Sequence, residues 1–191
     1  FGTAGDFTIE CWITVAGLND FNIFAGSAVS LDGDSTVGWN FMIDHRSGGR
    51  LSLRWYDATN GYKGAAVPFG LTINTTNITD HFQHVACVRN GGTLTIYYNG
   101  TAIHSHANTF DVNDDFAGTC IGPFNTNSDE TNQHGRNPSA YINTRGHYMD
   151  QLRVSNVARY TSNFTRPTSK FSNDSNTKVL IDADTELTKA E

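Results

Sequence analysis

Trp55, Tyr56 and Tyr62 flank a short polar turn, residues 57–61, of sequence DATNG. An aromatic ring can stack on the C–H face of a sugar while amides and carboxylates bind its hydroxyls, so this grouping is a candidate carbohydrate site. Core packing is the competing reading, because one of two neighbours on a strand faces inward. A second polar set lies in residues 123–146, PFNTNSDETNQHGRNPSAYINTRG, which bring Asn125, Asn127, Asp129, His134, Arg136 and Tyr141. Those groups suit a polyhydroxylated ligand and suit a wet protein–protein contact equally well. Asp150 alternates with Leu152 and Val154, which would aim a carboxylate along an apolar face. Buried carboxylates are paired or metal-bound; a nearby arginine, a turn-capping hydrogen bond and Ca²⁺ are the available partners. Asp32 and Asp34 form another oxygen-rich turn, for which a plain β-turn is the simpler account. His104 and His106 sit at i, i+2 on one strand face, but two ligands without a third are weak grounds for a metal.

No nucleophile or acid–base pair stands out. The chain has four glutamates, Glu10, Glu130, Glu186 and Glu191; Glu10 lies on a strand with no evident partner, and the last two fall in the tail. GxSxG, HExxH and phosphate-binding glycine loops do not occur. The chain is therefore read as non-enzymatic.

The elements that must position these residues are strands. Residues 7–15, FTIECWITV, alternate strictly: Phe7, Ile9, Cys11, Ile13 and Val15 share one phase, and Thr8, Glu10, Trp12 and Thr14 the other. Further strands are expected at 21–30, 37–44, 50–56, 66–73, 83–89, 93–98, 102–106, 118–122, 148–154 and 178–182. Asn/Asp/Gly turns separate several of them, with the tightest hairpin at 89–93 and a second at Asn99-Gly100. No stretch of ten residues carries a 3.6 period; residues 155–160 are the best short-helix candidate. Many short strands without crossover helices imply antiparallel sheets packed face to face.

At 191 residues the chain has the size of one domain. It has 13 basic and 19 acidic side chains, a net charge of −6, and four lysines. That argues against a nucleic acid as partner, since phosphate binding needs a basic face, and no apolar run is long enough for a spanning helix. Thr, Asn and Ser together supply 55 of the residues, so the rim is polar but weakly charged. Five N-x-S/T sequons are close to background in so Asn- and Thr-rich a chain. Cys11, Cys87 and Cys120 lack CxxC spacing and read as small buried strand residues rather than metal or redox ligands.

Four segments, in order, carry a family resemblance. Residues 1–13, FGTAGDFTIECWI, resemble the opening FGTGDFTIEFWV of concanavalin A-like (LamG-like) jelly rolls. Residues 81–100, HFQHVACVRNGGTLTIYYNG, are similar to that family's WHHVALVRDGGTLRLYVDG hairpin, with Phe82 where Trp is usual. Residues 149–167 resemble IDDLRITNGVARYTSNFTPP, and residues 171–181 resemble the closing strand FTNDANTLLLLHFDG. The resemblance implies an all-β, two-sheet antiparallel β-sandwich over residues 1–183, followed by a tail or linker at 184–191. It also implies a first strand upstream of Phe1, and hence a larger chain or a homo-oligomer. Glucanases of this family carry paired carboxylates in an E-x-D-x-x-E pattern, which this chain lacks. In several relatives the equivalent of Asp150 helps hold one structural Ca²⁺. The ARYTSNF segment at 158–164 is associated with virion and phage tail-fibre proteins. The expected function is thus a non-catalytic, lectin-like module of a virion or extracellular appendage, with a cell-surface glycan as partner. The alternative is a decoration or assembly domain that contacts neighbouring virion proteins without binding sugar.

Overall fold

The computed structural model describes residues 5–15, 21–27, 38–44, 50–57, 61–66, 82–107, 119–126 and 147–182. Among the described residues eleven strands occur in chain order: β1 (Phe7–Val15), β2 (Phe21–Ser27), β3 (Gly38–Asp44), β4 (Arg50–Asp57), β5 (Gly61–Ala66), β6 (Gln83–Asn90), β7 (Thr93–Tyr98), β8 (Thr101–Ala107), β9 (Thr119–Thr126), β10 (His147–Ser155) and β11 (Thr177–Ile181). They form two antiparallel sheets, of order β11-β10-β1-β6-β7-β8 and β5-β4-β3-β2-β9. No helix occurs among the described residues, so none there is long and apolar enough to cross a membrane.

Alternation builds the core. Phe7, Ile9, Cys11 and Ile13 of β1 point between the sheets with Val85, Cys87, Leu94, Ile96, Leu152 and Val154, and meet Phe41, Leu51 and Leu53 of the second sheet. Burying each such side chain stabilises the fold by roughly 1.5–3 kcal/mol. Cys11 and Cys87 are free and buried. Burial pushes both thiols well above their ordinary pKa, with the Glu10 charge adding to the effect on Cys11, which leaves them unreactive.

Both expected hairpins form. Gly91 and Gly92 take φ of 53° and 79° between the register partners Asn90 and Thr93, and Asn99 and Gly100 take 49° and 82° between Tyr98 and Thr101. Positive φ at both central residues matches the right-handed twist of the flanking strands.

Three local expectations are corrected, and one strand is added. Gly61–Ala66 is a strand that the sequence pattern does not announce; GYKGAA offers one strand-favouring residue, and pairing with β4 outweighs its weak propensity. Residues 67–73 lie outside the described ones. β9 runs on to Thr126, so the polar segment 123–146 begins as strand. Pro123 is tolerated there because β9 is an edge strand and the register with β2 shifts beside it. Residues 155–160 are not helical: Ser155 ends β10, and the following chain crosses the outer face of the six-stranded sheet. Lastly, a bulge moves Asp150 off the apolar face.

Candidate functional site

The segment from residue 156 to 176 forms a strap over the outer face of the six-stranded sheet. It packs Ala158, Tyr160 and Phe164 onto Ala86, Val88 and Tyr97, with Tyr160 and Phe164 stacked at 3.6 Å. The strap therefore closes a second, smaller apolar layer, and the polar phase of β1 becomes buried beneath it.

Glu10 lies at its centre, 0% exposed. Its Oε1 accepts from Arg153 Nε at 2.8 Å and lies 2.6 Å from Arg153 Nη2; its Oε2 accepts from Tyr160 OH at 2.8 Å and pairs with His84 Nε2 at 3.0 Å. A carboxylate only accepts, so the network assigns the proton to His84 Nε2. His84 Nδ1 then finds no hydrogen-bond partner among the described residues. Rings of Trp12, Tyr160, Phe164 and Phe171 enclose the imidazole edge-on. Burial alone would push the Glu10 carboxyl up, but the His84 hydrogen bond, the Arg153 charge and the Tyr160 hydroxyl together hold it below its ordinary value. The same burial, with the Glu10 charge, pushes the Tyr160 phenol far up.

Further ties fix the strap. Arg159 grips Asp174 with two bonds of 2.9 and 2.8 Å and donates to Ser155 Oγ at 2.6 Å. The Arg159 hydrogen bonds, first of all, hold the Asp174 carboxyl well below its usual range. Thr8 Oγ1 donates to the Val157 carbonyl and accepts from Arg159 N. Phe164 N donates to the Gly100 carbonyl at 2.9 Å; a Cβ on Gly100 would meet the Phe164 carbonyl oxygen at 1.9 Å. Glu10, read from sequence as partnerless, is thus a structural anchor. Its partners lie 74, 143 and 150 positions away, a separation that local pattern does not encode.

Where the strap turns back toward β11, the outer face opens into a cleft of about 550 Å³, lined by Trp12, Phe82, Asp150, Gln151 and strap residues 166–170. Its floor depends on a bulge. Glu10 pairs with Arg153 and Trp12 with Asp150, so Leu152 and Gln151 together oppose the single residue Cys11. Gln151 takes φ of 50°, and its Oε1 accepts from Phe171 N at 3.0 Å. The extra residue resets the alternation: Leu152 and Met149 pack on the core, and Asp150 emerges beside Trp12. This reverses the placement that strict alternation predicts. Arg166 lies over the Trp12 ring at 5.9 Å, and Lys170 pairs with Asp182 at 3.1 Å. The other polar side chains of the cleft are Gln151, Arg166, Thr168, Ser169 and Lys170. Among the described residues no group of three His, Cys, Asp or Glu side chains could hold a metal.

The other sequence candidates fall elsewhere. Trp55, Tyr56 and Tyr62 lie on the β4–β5 hairpin. There Tyr56 pairs with Tyr62, and Trp55 with Lys63 on one side and Trp39 on the other. Trp39 was not singled out from sequence; register alone brings it in. Tyr56 is in the opposite phase to the buried Leu51 and Leu53, whereas Trp55 shares theirs. Asn125 lies on β9, opposite Asn22. Asn127, Asp129, His134, Arg136, Tyr141, Asp32 and Asp34 lie outside the described residues. His104 and His106 are neighbours on β8, with ring centroids 6.4 Å apart; burial, then the His106 charge, lowers the His104 pKa.

A family model described as the concanavalin A-like lectin/glucanases superfamily matches residues 1–163. Among curated proteins none matches the sequence. A Bacteroides ovatus protein described provisionally as carbohydrate-binding shares the fold at TM-score 0.64 and 18% identity, covering 97% of this chain and 47% of that one. The receptor-binding domain of botulinum neurotoxin D aligns at TM-score 0.54 and 16% identity over 82% of this chain and 35% of that one. The CBM40 module of a Ruminococcus gnavus IT-sialidase aligns at 0.53 and 9% over 83% and 80%. This chain thus spans about half of the Bacteroides protein and about a third of the toxin chain.

Proposed function

We propose a function from one premise: this chain belongs to the concanavalin A-like lectin/glucanase superfamily. It is a non-catalytic, lectin-like carbohydrate-binding module. The carrying observation is the β4–β5 pairing, in which Tyr56 lies opposite Tyr62 and, at the next position, Asp57 lies opposite Gly61. Two aromatic residues and a carboxylate at adjacent register positions would supply stacking and hydroxyl-binding chemistry. The structural neighbours, carbohydrate-binding proteins by their descriptions, support that reading. So does the state of Glu10. It is the one glutamate among the described residues, and it is dry and saturated by Arg153, His84 and Tyr160, with no room for acid–base work.

The setting we propose is an appendage of a virion or phage tail fibre, on the strength of the segment at 158–164. There many copies would multiply a weak single-site affinity. The test is glycan-array binding by a multivalent display of the 191-residue chain. Glycan signal in the wild type and its reduction in Tyr56→Ala and Tyr62→Ala are expected. Absence of any glycan signal at high valency overturns the reading and favours a decoration domain that contacts protein.

A further inference from the structure

We infer that the cleft at Trp12 is a second carbohydrate site, on the opposite sheet from the hairpin, and that it takes a neutral sugar residue. The inference deepens the carbohydrate-binding reading and rests on it for the class of ligand, but its residues are separate.

Trp12 is the starting point. Thr8 and Glu10, which share its phase on β1, are fully buried under the strap, while Trp12 stays partly exposed and lines the cleft. One side of the indole is fixed by the edge-on contact with His84, at 5.3 Å between centroids. On the cleft side Arg166, an exposed residue, sits at 5.9 Å. That is the outer limit of a cation–π contact, so the guanidinium can swing aside as a ligand ring takes the indole face. The platform is rigid where it is anchored and yielding where it is open.

Asp150 is the second element. A non-glycine residue at positive φ costs roughly 1–3 kcal/mol and persists where the surroundings over-determine it. Here the Phe171 backbone holds the Gln151 side chain, and the outcome of the bulge is a carboxylate delivered to the Trp12 face instead of the core. A carboxylate accepts from two adjacent hydroxyls, and the Arg166 guanidinium donates to ring or hydroxyl oxygens. An aromatic platform flanked by one planar acceptor and one planar donor is the chemistry of sugar recognition.

Charge selects among sugars. Asp150 opposes Arg166, and Lys170 at the rim is paired with Asp182. An anionic sugar would gain one guanidinium and face one carboxylate, whereas a neutral polyol uses both. The volume of about 550 Å³ lies within the range of small-molecule sites, roughly 300–1,000 Å³. With Asp150 as the one carboxylate among the described lining residues and Glu10 sealed beneath the strap, the cleft binds without cleaving.

The experiment follows the Trp12 indole N–H by ¹⁵N NMR in the full 191-residue chain, assigned by Trp12→Phe. The probes are the methyl glycosides of glucose, galactose and mannose and, separately, N-acetylneuraminic acid. It is run in the wild type and in the Tyr56→Ala/Tyr62→Ala double variant. At least one neutral glycoside is expected to shift the Trp12 signal saturably in both proteins. Asp150→Asn and Arg166→Ala should each weaken that binding about tenfold, the loss of one charge-assisted hydrogen bond, and the exposed Arg166→Ala should do so at unchanged Tm. If Asp150→Asn lowers Tm, the exposed Arg166→Ala decides. A Trp12 signal silent to every probe, one indifferent to both substitutions, or one that prefers N-acetylneuraminic acid overturns the inference. Array binding lost in the hairpin variants with a silent Trp12 sinks the second site and leaves the proposed function standing. Silence in both assays sinks both.

Discussion

The two ends of the strap carry the same residue types and do opposite things. At the closed end a carboxylate, an arginine and aromatic rings meet as Glu10, Arg153, His84 and Tyr160, all within hydrogen-bond distance and shielded from water. At the open end the corresponding groups, Asp150, Arg166 and Trp12, line a cleft. Where both carboxylate oxygens are paired and dry, the interactions hold the fold. Where the aromatic face stays partly exposed beside a cleft, it can meet a ligand. Residue type does not distinguish the two; solvent does.

The comparison breaks first at Glu10. Glu10→Ala leaves Arg153 buried and uncompensated and should cost about 3–5 kcal/mol, read as a large drop in the urea midpoint. A cost below about 1 kcal/mol would mean that the closed end is not an anchor. Gly100→Ala comes next. A Cβ at positive φ against the Phe164 backbone should destabilise by at least about 2 kcal/mol and loosen the strap, seen as faster amide exchange at Phe164. Tyr160→Phe removes one hydrogen bond to a charged acceptor and should cost about 1.5–3 kcal/mol.

Acid sharpens the contrast. The folded Glu10 pKa is depressed, so its contribution is complete above the ordinary glutamate value of about 4.3 and is lost as pH falls through the lower folded value. Between pH 5 and 3 the wild type should therefore lose more stability than Glu10→Gln; parallel curves would refute the assignment. The smallest effects belong to the open end. Arg166→Ala, at an exposed residue, should leave Tm unchanged, and EDTA tests the calcium that the family resemblance implies at Asp150. A chelator-induced fall in Tm would show that oxygens from elsewhere complete a site at Asp150.

Much of the sandwich was legible in the residues. The period-two pattern of 7–15, the Gly-Gly and Asn-Gly turns at 91–92 and 99–100, and the apolar runs at 83–89 and 93–98 each encode their geometry locally. β5 was not legible, because GYKGAA becomes strand only by pairing with β4. The bulge was not either: DQLRV reads as plain alternation, and a single residue at positive φ inverts the phase of Asp150. The partners of Glu10 arrive from strands and a strap distant in sequence, and Trp39 joins the aromatic hairpin through register alone.

The sequence by itself determined that two apolar sheet faces must meet, because side-chain alternation is a property of neighbouring residues. The tertiary structure alone decided which carboxylate is buried and which is offered to solvent, because burial depends on what the rest of the chain lays over each strand.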